Sequence, residues 1–186
     1  MWSAVAPFLG ANCQGIFGVA NNSPQETQTI YEAIQAIAQK SYVDHRLILA
    51  ILVQESSGCV RAPTTISPDG TVINPGLMQS FNGAGSCNRN GVIQNPCPTS
   101  QIYQMIGDGV YGTGNPAVAG LVQDINGQNA AGYGDAMAIY RSARVYNSGS
   151  VPGSGDLGAP GATRCYCSDV ANRLMGWVTA SRTCQF

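Results

Sequence analysis

The chain has 186 residues, nine basic and ten acidic, with a formal net charge of -1 and only 10% charged side chains. That length suits one compact domain with a sizeable core, and charge so balanced and dispersed offers no footprint for nucleic acid. The longest strongly apolar run, residues 47–53, falls far short of the roughly 18 to 20 residues that span a bilayer, so no membrane helix is expected.

Lys40 is the sole lysine, and Gly, Ser, Thr, Asn and Gln supply most of the polarity, a composition expected of an extracellular surface. Seven cysteines (Cys13, Cys59, Cys87, Cys97, Cys165, Cys167 and Cys184) run along the chain with no CxxC pair for zinc or thioredoxin chemistry. They point to an oxidising compartment, three bridges and one leftover thiol. The start, Met1-Trp2-Ser3-Ala4, has no charged region followed by an apolar stretch, so the expectation is a mature secreted form whose signal is absent.

Residues 1–22 show no sustained period and read as an N-terminal extension. Ser23, Pro24 and Glu26 form a capping-box signature, and Ile30, Ile34, Ile37 and Ala38 continue it as an amphipathic helix to about Lys40. A second helix is predicted from near Asp44, as its cap, to Gly58, with Leu47, Ile48, Ile51 and Leu52 on its inward stripe. Between Cys59 and Gly76, Ser67-Pro68-Asp69-Gly70 predicts a turn in a small hairpin. Residues 80–98 should be irregular, pinned by a Cys87–Cys97 bridge. Helical spacing returns around Ile102–Val110, Val118–Ile125 and Ala136–Ala143. A loop over residues 148–161 precedes a last helix near Ser168 carrying Val170, Leu174, Trp177 and Val178. The sum is a mainly α single domain with one small β-hairpin element, in which residues 150–186 form a cysteine-rich segment packed on the rest.

Of the three glutamates, Glu26 reads as a cap and Glu32 as solvated. Glu55 is four residues after Ile51 and seven after Ile48, on the apolar stripe. Desolvation and the carbonyl end of the helix should both raise its pKa, holding a proton ready for donation. The competing reading pairs it with Arg61 or Arg141. A second carboxylate, Asp69, suits activation of water, which an inverting glycosidase needs at roughly 6.5 to 9.5 Å from its acid. It equally suits ordinary turn chemistry after Pro68 and before Gly70. Asp44, Asp108, Asp124 and Asp135 are expected at caps or on the surface. His45 is the only histidine, which excludes two-histidine metal sites and leaves no cofactor implied.

The segment from Val43 to Gly58, ending Glu55-Ser56, resembles the catalytic helix of the soluble lytic transglycosylases and goose-type lysozymes. Gly76-Leu77-Met78-Gln79 and Tyr146-Asn147-Ser148-Gly149 are similar to that family's Gly-Leu-Met-Gln and Tyr-Asn-x-Gly elements, in the same order. The match covers about residues 23–149, and departs from the family at Ile73-Asn74-Pro75 and at Arg144-Val145. The resemblance implies a two-lobed lysozyme-like fold and cleavage of a β-1,4 bond in peptidoglycan, with Glu55 as general acid and Asp69 as helper. It further implies that Ser56, Met78, Gln79, Tyr140, Tyr146 and Asn147 line the sugar cleft, with tryptophan and tyrosine rings for stacking. A secreted, monomeric muramidase is the expectation. A lytic transglycosylase giving anhydro products, a chitinase and a non-catalytic glycan-binding protein are the alternatives.

Overall fold

A computed structural model describes residues 1–114, 119–161, 163–177 and 179. The chain is mainly helical, with eight helices and four two-residue strands among the described residues. They run in the order α1 (Trp2–Val5), α2 (Cys13–Phe17), α3 (Pro24–Ser41), α4 (His45–Ser56), β1 (Thr65–Ile66), β2 (Ile73–Asn74), β3 (Asn88–Arg89), β4 (Val92–Ile93), α5 (Thr99–Tyr111), α6 (Leu121–Ala130), α7 (Asp135–Ser148) and α8 (Tyr166–Leu174). β1 pairs antiparallel with β2, and β3 with β4.

α3 starts where its local chemistry dictates. The Ser23 hydroxyl accepts from the Glu26 amide, the Glu26 carboxylate accepts from the Ser23 amide, and Pro24 occupies the first turn. Asp44 caps α4 by accepting from the Arg46 amide. The whole run Leu47–Leu52 is buried, so α4 is enclosed on every side and not only along one stripe. Burying each Leu or Ile side chain contributes about 1.5–3 kcal/mol, which makes this helix the anchor of the core. It packs between α3 and α8, while α3 also packs on α5, and α7 on α6 and α8.

The first twenty residues, which show no sustained period in the sequence, are partly helical. They hold α1 and α2, of four and five residues, each shorter than the window in which a helical period can be recognised. This segment closes over the C-terminal end of α4. The Gly10 amide donates to the Ser57 carbonyl at 3.0 Å, and the Asn22 side chain donates to the Gly58 carbonyl at 2.7 Å and accepts from the Val60 amide at 3.1 Å. Gly58 has φ +77°, and a Cβ there would lie 2.3 Å from the Leu9 side chain, so glycine is required both for the turn and for the cover. A Cys13–Cys59 bridge fastens the two segments across 46 residues.

The second bridge joins Cys87 to Cys97, as the loop composition suggested, although β3 and β4 lie between them where irregular chain was expected. Cys165 is also disulfide-bonded, and Cys167 is a buried free thiol that donates to the Tyr140 carbonyl at 3.4 Å. Cys184 and Val178 lie outside the described residues. The last helix starts two residues before Ser168 and ends at Leu174, leaving Trp177 beyond it and 61% exposed. No helix among the described residues is long and apolar enough to cross a membrane.

Candidate active site

Glu55, in the last turn of α4, is half-buried and opens into a cleft of about 720 Å³. The cleft is walled by the β1–β2 hairpin (Thr65, Val72, Asn74), the following loop (Gln79, Ser80, Phe81), α5 (Asp108, Gly109), the start of α6 (Asp124) and the end of α7 (Val145 to Gly149). The arginines offered as partners of Glu55 are engaged elsewhere. Arg61 lies under α3, donating to both Glu26 oxygens at 2.5 and 3.0 Å. Arg141 donates to Gln128 and stacks over the Tyr133 ring at 3.7 Å.

The Glu55 carboxylate Oε1 accepts a short hydrogen bond from the hydroxyl of Tyr166. Tyr166 comes from α8, which packs along α4 and is further registered by Gln54 donating to Asp169 at 3.2 Å. Burial, followed by the neighbouring Glu55 charge, pushes the Tyr166 phenol well above its usual range, so it stays a donor at every ordinary pH. Tyr166 lies 111 residues from Glu55 and beyond the three motifs, so no local pattern in the sequence ties the two together. Its placement between Cys165 and Cys167 at the head of an amphipathic helix was the sole local signal.

Three of the expected cleft residues meet at this site. Gln79 takes φ 46°, and its amide donates to the carbonyls of Pro63 (3.2 Å) and Gly76 (2.9 Å) while accepting from Thr65 (2.9 Å), which fastens the loop to the hairpin. Tyr146 donates to the Met78 carbonyl at 2.8 Å and stands 3.5 Å from the Ser80 hydroxyl. Burial and then the Glu55 charge push its phenol above the ordinary range too. Asn147 accepts from the Thr163 amide at 3.1 Å, tying α7 to the segment that leads into α8.

Other expected residues are placed elsewhere. Ser56 is fully buried and does not line the cleft; its hydroxyl donates to the Leu52 carbonyl and accepts from the Gly58 amide, closing the end of α4. Met78 contributes its carbonyl, while its side chain is buried against Gly109, where a Cβ would come within 2.6 Å of the sulfur. Tyr140 is not among the lining residues. Six positions before Tyr146, it projects about 120° away around the helix. Asp69 is exposed at the hairpin tip, outside the lining, and accepts from Ser67 and from the Thr71 amide and hydroxyl. Those bonds, Ser67 first, hold its carboxyl below the usual range. Neither tryptophan reaches the cleft: Trp2 packs on Tyr31 at 4.8 Å, and the aromatic rings lining the site are Phe81 and Tyr146.

The cleft instead holds two aspartates that were expected on the surface or at caps. Asp108 is 5% exposed and accepts from the Gly85 amide (2.9 Å) and from Gln104 (2.6 Å). Asp124 is equally buried, and desolvation pushes its carboxyl up to about 7. Arg144 is buried and donates to the carbonyls of Leu157 and Ala159, holding the loop after α7. Among the described residues, no three His, Cys, Asp or Glu side chains cluster as metal ligands. No protein-family model, curated protein or solved structure matches this chain.

Proposed function

We propose that this protein is a secreted muramidase that cleaves β-1,4 glycosidic bonds in peptidoglycan with Glu55 as the general acid, on a two-lobed lysozyme-like fold. The observation that carries this reading is Glu55 itself. Its carboxyl opens into a cleft, one oxygen is gripped by a phenol, and Gln79, Tyr146 and Asn147 converge from other segments.

In this reading the Glu55 proton passes to the bridging oxygen. The C1–O bond breaks with its electron pair on that oxygen, leaving an oxocarbenium-like centre and a Glu55 carboxylate. Tyr166 contributes most at that moment, because a hydrogen bond to a carboxylate is stronger than one to the neutral acid. Water then adds at C1 and returns a proton to Glu55, giving a reducing end. Capture by the sugar's own 6-hydroxyl returns the proton equally and gives an anhydro end. Asp69 lies outside the cleft lining, so water placement falls to Glu55 or to another wall of the site.

A second substrate reading has an observation in its favour. The described lining contains three carboxyl groups and no lysine or arginine, which suits an uncharged N-acetylglucosamine polymer of the chitin type. Mass spectrometry of digests of purified peptidoglycan and of chitin oligomers separates these outcomes by substrate and by reducing or anhydro ends. Glu55→Gln keeps the shape and removes the proton, and should lower the rate at least about a hundredfold. Near-full activity in that variant, or no cleavage of either glycan by the parent, overturns the proposal.

A further inference from the structure

Asp124 is a buried carboxyl to which no described residue donates a hydrogen bond. It lies in the first turn of α6 behind a glycine cap, is 5% exposed, and its remaining opening is into the cleft shared with Glu55. Among the described residues nothing donates a hydrogen bond to it, in contrast to Asp108 across the cleft with two donors. A carboxyl that is largely desolvated yet lines a cleft, with no donor from the described residues, is placed to take its hydrogen-bond partner from a ligand.

Resting on the glycan reading above, we propose that Asp124 is a sugar-binding residue of the cleft, donating a hydrogen bond from its carboxylic acid to an uncharged acceptor of the saccharide, such as an acetamido carbonyl. The groups that share its surroundings favour the neutral acid. Asp108 from α5, Tyr146 from α7 and Glu55 from α4 are acids or a phenol. The α7 cation that reaches α6, Arg141, is held by Gln128 and the Tyr133 ring towards the opposite end of α6. Burial holds the proton up to about pH 7, and a saccharide seated over the group displaces the last water from it, favouring the neutral form further. Ligand affinity is therefore linked to the Asp124 proton, and falls as that proton is lost.

Binding is measured by calorimetry with the N-acetylglucosamine hexamer between pH 5.5 and 8.5. Glu55→Gln serves as the parent, so that no ligand is consumed and Glu55 does not titrate. The parent should lose about fivefold or more in affinity from pH 6 to pH 8.5, the worth of roughly one hydrogen bond. Adding Asp124→Asn, which keeps an uncharged donor, should retain the pH 6 affinity and flatten the profile. Adding Asp124→Ala should weaken binding at pH 6 by about the same factor, with circular dichroism confirming that each variant is folded. A parent profile that is flat, or one whose slope survives in Asp124→Asn, overturns the assignment of Asp124 alone. Failure of every form to bind the hexamer at any pH would sink the glycan reading and the Asp124 assignment with it.

Discussion

Glu26 and Asp124 are two carboxyls buried to almost the same degree, 3% and 5% exposed, whose acidities differ widely. Burial alone would raise both. At Glu26 that push is outweighed by Arg61 and by the Ser23 and Cys97 amides, and the carboxyl is held at about 2. At Asp124 no described residue opposes it, and the carboxyl is pushed up to about 7. Burial does not determine what a buried acid does; its donors do. The saturated acid belongs to the scaffold, where it joins α3 to the loop before α5. The unsaturated one faces the cleft.

The largest expected effect comes from breaking the saturated side. Arg61 is fully buried and also donates to the carbonyls of Ala20 and Asn21, so Arg61→Met leaves Glu26 charged in the core with only its two amide donors. Removing one member of a buried pair typically costs about 3–5 kcal/mol, and urea unfolding at pH 7 should show a loss of that order. The sign with pH follows from the depressed acid. The parent gains stability from Glu26 above the ordinary glutamate value of 4.5 and loses it as pH falls towards 2. The cost of Arg61→Met should therefore shrink below pH 4, where Glu26 in the variant can take up a proton. An equal loss at pH 3 and pH 7 would show that the ion pair is not the cause.

Asp124 predicts the opposite slope and a smaller effect. Its folded pKa is raised above the ordinary aspartate value of 3.8, so the folded state holds the proton more tightly, and stability falls as pH rises from about 4 to about 7. Asp124→Asn should be nearly neutral at pH 3.5 and stabilising at pH 8, by on the order of 1–3 kcal/mol. Thermal melts at the two pH values test it, and a variant whose gain does not grow with pH contradicts the picture of an unsatisfied acid.

Glu26 was legible in the sequence and Asp124 was not, and the reason is the range of the interactions. Ser23, Pro24 and Glu26 speak to one another within a single turn, so their spacing carries the information. The apolar run 47–52 and the turn around Asp69 are local in the same sense. The burial of Asp124 arises from α5 and α7 closing on α6, and its position in a first helical turn mimics an ordinary cap. Tyr166 reaches Glu55 only because α8 folds back along α4. Ser56 and Met78 misled in the other direction. Both stand in the segments that carry the resemblance, yet one closes a helix end and the other supplies a carbonyl that holds Tyr146.

Tyr166→Phe probes the contact that sequence reasoning missed. The ring remains in the core while the donor to Glu55 is lost, so the fold should hold and catalysis should drop. A hydrogen bond to a developing carboxylate is worth roughly 1.5–3 kcal/mol, which corresponds to about 10- to 100-fold in kcat. KM should change little, because the hydroxyl points at Glu55 and not at the substrate space. A fall in kcat/KM carried entirely by KM would place Tyr166 in ligand binding instead.

The smallest expected effect is at Asp69, where the resemblance and the geometry diverge. The resemblance implies a helper carboxylate at Asp69, and an inverting reaction needs a base near the attacked carbon. Here the Asp69 carboxylate is exposed at the hairpin tip and turned onto Ser67 and Thr71, the pattern of an aspartate stabilising its own turn. Asparagine accepts the same bonds through its carbonyl oxygen and tolerates the same backbone angles. Asp69→Asn should therefore leave the melting temperature and the rate of glycan cleavage close to those of the parent, in contrast to Glu55→Gln. A large fall in hydrolysis with oligosaccharide affinity unchanged would mean that the hairpin swings Asp69 into the cleft when substrate binds. The β1–β2 strands pair through only two residues each, so such a movement would break few ladder bonds. Cleavage by Asp69→Asn at the parent's rate leaves the water, if water is the nucleophile, to Glu55 and the groups that already line the cleft.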